Sequence, residues 1–356
     1  MLGIDKISNY FVISSQIIDL TIRRMAQSRC VGGATMELVT GGAGFIGSHL
    51  VDTLVAQGKR VRVFDNFSSG REDFLDHHQG SGMVEIFKGD LLDFDSLNSA
   101  MEGIETVHHL AANPDIRLGT EVTGTDLRQG TVATYNVLEA MRNSGVKRIS
   151  FSSSSAIYGE ANVMPTPETY GPVKPISLYG ASKLASEALI TAWCGTFGAK
   201  SWIHRFANIV GPRGTHGVIY DFIHKLKNDP SRLEVLGNGL QEKSYMSAED
   251  CVRAMVHIVD GTDDAINLYN LGTGDTCSVR RIAEIVVEES GLEGVSIEYT
   301  GGDRGWAGDV PKTSLDVEYL FSTGFEPTMQ SEAAIRHTET SAGIPNVLKQ
   351  GSAAEA

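Results

Sequence analysis

The sequence predicts an α/β protein built on a doubly wound parallel sheet, with a smaller C-terminal lobe of mixed α/β character. Three observations predict it. Short apolar runs alternate with stretches of helical apolar spacing from residue 36 to about residue 207, and such alternation builds a parallel sheet covered by helices on both faces. A glycine-rich turn joins the first run to the first helix. Beyond residue 207 the alternation loosens into shorter, more varied elements.

The first strand is MELVT (36–40), a short buried run, and the helix FIGSHLVDTLVAQG (45–58) follows it and stops at Gly58. RVRVFD (60–65) is the second strand and VEIFKGDL (84–91) the third. A helix through DFDSLNSAME (93–102) leads to a fourth strand, TVHHLAA (106–112). TVATYNVLEAMRNSG (131–145) is a helix, RISFSSSS (148–155) the fifth strand, YGASKLASEALITAWCGTFG (179–198) a long helix and SWIHRFAN (201–208) the sixth strand. Further on, GVIYDFIHKLKND (217–229) and VRRIAEIVVEESG (279–291) read as helices, and EVLG (234–237) and SIEYT (296–300) as short strands. The expected organisation is a dinucleotide-binding domain over 35–207, with segments near 243–275 returning to it, and a substrate lobe from 208–242 and 276–336. Residues 1–34 read as an appendage, because the basic residues of NYFVISSQIIDLTIRRM follow its apolar stretch, the reverse of a secretory signal. The small, polar tail 337–356 is expected to fray.

Composition narrows the function. Of 356 residues, 41% are apolar and 21% charged, as in an ordinary globular protein. A formal net charge of −14 argues against nucleic acid as a partner, which needs a concentrated basic face. No apolar run reaches the ~18 residues of a membrane span, so no membrane partner is expected. Cys30, Cys194, Cys251 and Cys277 are widely spaced with no CxxC pair, which reads as reduced thiols in a cytoplasmic protein; no metal site is expected.

The turn Gly41-Gly42-Ala43-Gly44-Phe45-Ile46-Gly47 satisfies GxxGxxG, and from Gly42 also GxGxxG. Either pattern alone is weak, but here it follows a strand and opens a helix. Glycines let the backbone turn tightly and approach a pyrophosphate, and the helix N-terminus offers free N–H groups and partial positive charge. This is the dinucleotide fingerprint of a Rossmann fold. Asp65 ends the second strand twenty-one residues after Gly44; a carboxylate there accepts from ribose hydroxyls and repels a 2′-phosphate, so NAD is expected over NADP. Arg71, just beyond, weakens that exclusion slightly. Asp90 in KGDL reads either as an adenine-side contact or as the N-cap of the next helix.

Tyr179 and Lys183 form YxxxK at the start of the long helix. At i and i+4 they share one helical face. A phenol with a pKa of about 10 needs a positive neighbour to act as acid or base near neutral pH. YxxxK is common on helix surfaces, and it gains meaning here by following a dinucleotide turn and a serine-ended strand.

Together TGGAGFIGSHL, SSSSAIYG, YGASKLASE and RGWAGDV resemble the extended short-chain dehydrogenase/reductase superfamily, and within its NAD-dependent epimerase/dehydratase family they look most like the UDP-glucose 4-epimerases. The resemblance covers roughly residues 36–335. It selects Ser154 among the four serines, four residues before Tyr158 and twenty-five before Tyr179, to hydrogen-bond the sugar 4-oxygen. It implies an isomerase that oxidises C4 transiently: Tyr179 removes the hydroxyl proton, Lys183 holds the nicotinamide ribose, and hydride returns to the opposite face of the rotated 4-keto sugar. Related dehydratases and decarboxylases carry Asp or Glu just before the YG pair, where this chain has Ser155, Ala156 and Ile157; Glu160 lies beyond.

The same resemblance implies an NAD site of Gly41, Gly44, Phe45, Ile46 and Gly47 with Asp65, Asn66, Ser68, Ser69 and Gly70. It adds Asp90, Leu91, Leu110, Ala111, Ala112, Gln129, Ser152, Tyr179 and Lys183. On the substrate side it implies Ser154, Asn208, Lys243 and Arg304, with Asp303 or Asp309 assisting. The pattern departs from the family at Gln129, where Asn is usual, at Lys243, where Arg is usual, and in the loop RGTHGV, whose His216 reads as a surface residue. The implied partners are a UDP-sugar and a second copy of the chain, paired through the two long helices. The readings left open are an epimerase of UDP-uronate or UDP-N-acetylhexosamine, a dehydratase or a reductase on the same fold, and a non-catalytic NAD-binding regulator.

Overall fold

The computed structural model describes residues 35–306 and 308–341. The appendage 1–34 with its Cys30, and the tail beyond residue 341, lie outside the described residues. Residues 337–341, placed in the tail by sequence reading, continue a helix, Ser331–Ser341.

A seven-stranded parallel sheet organises the chain. It comprises β1 (Met36–Thr40), β2 (Arg60–Asp65), β3 (Val84–Lys88), β4 (Ile104–His109), β5 (Arg148–Ser154), β6 (Lys200–Phe206) and β10 (Ile266–Leu271), in the order β10-β6-β5-β4-β1-β2-β3. All six pairings are parallel. The chain runs outward from β1 through β2 to β3, then crosses to β4 on the other side. That reversal opens a crevice at the carboxyl ends of β1 and β4, where ligands bind in folds of this kind. β1 sits in the middle and is buried along its length, which is why MELVT is apolar on both faces apart from Glu37 and Thr40. Glu37 faces buried His108 at 3.1 Å and Lys59 at 3.5 Å.

Helices cover both faces. On one, α1 (Phe45–Ala56) packs Leu50, Val51 and Leu54 with Trp202 and with Cys251 and Met255 of α6 (Ala248–Gly261). On the other, Val137, Leu138 and Met141 of α3 (Ala133–Ser144) meet Phe151, Ile203 and Ile190 of α4 (Leu178–Phe197). The helix expected from residue 131 begins differently: residues 127–132 form a π-helical turn that leads into α3. The third strand stops at Lys88, three residues short of the expected end, because the chain leaves the sheet at Gly89 and turns at Leu91 and Leu92.

After β6 the short β7 (Asn208–Val210) pairs with β9 (Tyr245–Ser247). A further core gathers Phe222, Ile223 and Leu226 of α5 (Val218–Asn228) with Ile282, Ile285 and Val286 of α7 (Val279–Ser290), over the parallel pair β8 (Arg232–Val235) and β11 (Ser296–Tyr299). None of the described helices is long and apolar enough to cross a membrane.

Candidate active site

A cavity of about 750 Å³ opens at the carboxyl ends of the central strands. Its floor is the turn after β1. Gly41 has φ of +69°, and a Cβ there would sit 2.8 Å from the Ala111 nitrogen, so only glycine fits between the turn and the end of β4. A Cβ on Gly47 would stand 2.0 Å from the Gly41 carbonyl oxygen, which explains the last glycine of the motif as a packing requirement. Gly41, Gly44, Phe45, Ile46 and Gly47 all line the cavity. No side chain caps the N-terminus of α1, and its first turn carries no acidic residue. Its N–H groups and partial positive charge are therefore free to receive an anion. This uncapped cradle fits the pyrophosphate of a dinucleotide.

Asp65 braces that turn. Its Oδ2 accepts from the Ala43 N–H at 3.0 Å and its Oδ1 from the Phe67 N–H at 2.8 Å. Burial pushes its carboxyl above the usual range, against the pull of those backbone donors. Each oxygen keeps a lone pair for a ribose hydroxyl. Asn66, Ser68 and Ser69 line the cavity beside it. Gly70 does not: it lies behind Asp65, where a Cβ would be 2.9 Å from the carboxylate. Asp90 and Leu91 also line the cavity. Asp90 accepts from the Leu92 N–H at 2.8 Å and from Asn66 Nδ2 at 3.1 Å. The helix N-cap is Asp93 instead, with α2 (Phe94–Ala100) beginning after it. Leu110, Ala111, Ala112 and Gln129 complete this half.

The other half is built where α4 crosses the end of β5. The Ser177 hydroxyl caps α4 by accepting from the Gly180 N–H at 3.0 Å, which sets Tyr179 and Lys183 at the cavity. Lys183 is 4% exposed; its Nζ donates to the Ser152 carbonyl at 2.6 Å and lies 5.7 Å from the centre of the Tyr179 ring. Burial pushes the ammonium down to about 8, with the carboxylates of Glu187 and Asp126 holding it up in part. Burial pushes the Tyr179 phenol up to about 12, the Ser154 hydroxyl pulls it down, and Asp126 adds to the rise. The Ser154 hydroxyl also accepts from the Ala156 N–H at 3.1 Å. Ser152 lines the cavity, with its hydroxyl on the His109 carbonyl at 3.3 Å. His109 itself, held between Thr40 and Thr134, is pushed down to about 3 by burial and stays neutral.

Several residues at this site escaped sequence reading. Glu187, one turn after Lys183, is paired with Arg205 at 2.7 and 3.0 Å and accepts from the Ser153 hydroxyl. Arg205 also donates to Tyr158 at 2.9 Å, and Tyr158 to Asn270 at 2.7 Å. The YG tyrosine therefore belongs to a buried polar network beneath the site. The i+4 spacing of Lys183 and Glu187, and a lone Arg inside an apolar strand, were the available signals. Asp126, 2% exposed, takes a 3.0 Å hydrogen bond from Asn113 and leaves Oδ2 without a partner among the described residues; no local pattern pointed to it.

On the substrate side, Asn208, Lys243 and Asp309 line the cavity, and Lys243 Nζ is 2.6 Å from Asp309 Oδ1. His216, read as a surface residue, also faces the cavity. Arg304 does not. It reaches the Glu160 carboxylate and the Asp309 carbonyl, and its neighbours Gly305 and Trp306 line the wall in its place. Arg304, the expected diphosphate contact, is engaged in an exposed ion pair, and Asp303 is held by Asn238 at 3.1 Å.

Comparisons with known proteins agree with this fold. The model of the NAD dependent epimerase/dehydratase family matches residues 37–272. A crystal structure of a UDP-galactose 4-epimerase is 42% identical, with 86% of this chain and 98% of that one covered and a TM-score of 0.77. A UDP-glucose 4-epimerase from Thermotoga maritima, solved with UDP-glucose, is 31% identical over 86% of this chain and 98% of its own, with a TM-score of 0.78. The UDP-glucose 4-epimerase of Mycolicibacterium smegmatis is 33% identical over 251 residues, 69% of this chain and 79% of its own. UDP-glucuronic acid decarboxylase 4 of Arabidopsis thaliana is 31% identical over 268 residues, 70% of this chain and 56% of its own. Identity alone does not separate these activities.

Proposed function

This chain belongs to the NAD-dependent epimerase/dehydratase family, and from that premise we propose that it is a nucleotide-sugar 4-epimerase of the UDP-glucose/UDP-galactose type. The observation that carries the choice is the turn after β5. Ser154, Ser155 and Ala156 face the cavity beside Tyr179, Ile157 is buried, and the nearest following acid, Glu160, is engaged by Arg304. A dehydratase or decarboxylase needs a group to handle protons or charge beyond C4, and no carboxylate stands in this turn.

NAD, when bound, accepts a hydride from the sugar and gives it back. The chain's own residues do the rest. The uncapped N-terminus of α1 holds the pyrophosphate and Asp65 the adenosine ribose. Lys183 places positive charge at the base of Tyr179. Tyr179 takes and returns the proton of the 4-oxygen, which Ser154 orients. Asn208 and Lys243 anchor the diphosphate, so that the oxidised hexose would be free to turn between loss of the hydride and its return. Exposed Tyr135, Leu178 and Phe197 on α3 and α4 support a homodimer through these helices, and the free buried thiols Cys194, Cys251 and Cys277 support a cytoplasmic location.

The Lys243–Asp309 pair favours one second reading. A lysine already neutralised, in place of a planar guanidinium, leaves room for a UDP-uronate or UDP-N-acetylhexosamine as substrate. One experiment separates the readings: incubate the purified protein, without added cofactor, with UDP-glucose, UDP-N-acetylglucosamine or UDP-glucuronate, and identify the product by NMR. UDP-galactose from UDP-glucose is expected. A product deoxygenated at C6, or no sugar changed at C4, would sink the proposal.

A further inference from the structure

Away from the cavity's chemistry, a turn and a helix bring three metal-binding side chains together. The 3₁₀ turn Asp76–His78 lies against α1. It directs two sequence-adjacent imidazoles at one carboxylate: His77 Nε2 is 2.8 Å and His78 Nε2 2.7 Å from Oδ1 of Asp52. The two rings stand with centroids 4.0 Å apart. The other carboxylate oxygen, Oδ2, is 2.9 Å from Arg213 Nη1. His78 is mostly shielded, Asp52 is partly exposed and His77 is about half open, so the cluster has one wall and one solvent face.

Adjacent residues rarely point the same way. Here the tight turn makes them converge, and the convergence puts two nitrogens and one oxygen within 4.8 Å of one another. A cation bound between the rings would use one nitrogen lone pair from each imidazole and one oxygen of the carboxylate. A donor set of two imidazoles and one carboxylate oxygen suits zinc and its neighbours rather than calcium or magnesium.

We propose that Asp52, His77 and His78 bind one divalent cation of the zinc class, with water completing a four-coordinate shell. Bonds of about 2.0–2.1 Å space tetrahedral donors by roughly 3.3 Å. The two nitrogen–oxygen contacts must therefore open by about half an ångström, and the exposed ring of His77 has room to swing. Arg213 stays on Oδ2 as the outer partner that orients the carboxylate. Its charge opposes the cation and moderates the affinity. The ion would fasten the segment after β2 to α1 and adjoin, through Arg213, the loop that lines the cavity. None of the three ligands has a part in the proposed epimerase reaction.

The test titrates zinc chloride, then cobalt chloride, into chelator-treated full-length protein. Calorimetry is expected to show one saturable equivalent per chain, unfolding temperature to rise with zinc, and cobalt to give the intense visible absorption of a four-coordinate site. His77→Gln is expected to weaken binding by about tenfold or more, and His77→Gln/His78→Gln to abolish the equivalent. Circular dichroism without metal checks that both variants fold. The proposal is overturned by no saturable equivalent, by unchanged affinity in the folded double variant, or by the weak cobalt spectrum of a six-coordinate aquo ion.

Discussion

The Lys183 ammonium lies 5.7 Å from the centre of the Tyr179 ring, buried and tethered at 2.6 Å to the Ser152 carbonyl near the end of β5. Helix and strand thus place a cation and a phenol together before any ligand arrives. Such preorganisation makes the pair usable as an acid–base device.

Tyr179→Phe keeps the ring and removes the proton carrier. Turnover is expected to fall by about 10²–10⁴. NAD released on denaturation should match the wild type, because the hydroxyl is not needed to hold the cofactor. Loss of NAD together with activity would assign Tyr179 to binding instead.

The pH dependence follows from Lys183. Burial brings its pKa down to about 8 from 10.5, so the ammonium is lost as pH rises through about 8. Turnover is expected to decline above that pH, and Lys183→Met to remove the decline along with most of the activity. Stability moves the other way. Between about 8 and 10.5 the unfolded chain binds more protons than the folded one, so unfolding free energy rises with pH. Relative to Lys183→Met, the wild type should gain about 3 kcal/mol across that window in denaturant titrations of cofactor-free protein. A flat difference would refute the depressed pKa.

Glu187→Gln leaves Arg205 charged and buried without its ionic partner. The expected cost is about 3–5 kcal/mol, read as a lower denaturant midpoint. Glu187 also holds the Lys183 pKa up, so the alkaline decline in turnover should move to lower pH. A purely structural role would leave that profile in place.

Two glycine substitutions should differ in degree. A Cβ on Gly47 meets backbone oxygen at 2.0 Å, whereas one on Gly44 meets the same oxygen at 3.1 Å. Gly47→Ala is expected to cost about 1–3 kcal/mol more than Gly44→Ala and to lose NAD on purification. Thermal unfolding and cofactor content check both.

How much of the site was legible depends on how local its cause is. Gly41 and Gly47 were readable because a turn between strand and helix requires them within seven residues. Tyr179 and Lys183 were readable because helical periodicity fixes their common face. The direction of Arg304 was not readable because it depends on Glu160, 144 residues away. The π-helical turn at 127–132 interrupts a pattern that reads as plain helix. Asp52, with His77 and His78 25 and 26 residues further on, forms no recognisable motif.

By itself, then, the chain's order of residues determined the alternation of strands and helices, the dinucleotide turn and the candidate acid–base pair, since each arises from backbone geometry and spacing inside one element. Only the tertiary structure decided which side chains neutralise one another. Glu187 with Arg205, Lys183 with the Ser152 carbonyl, and Lys243 with Asp309 are brought together by the crossing of separate elements. The energy of such pairs depends on burial and on distances that no linear pattern encodes.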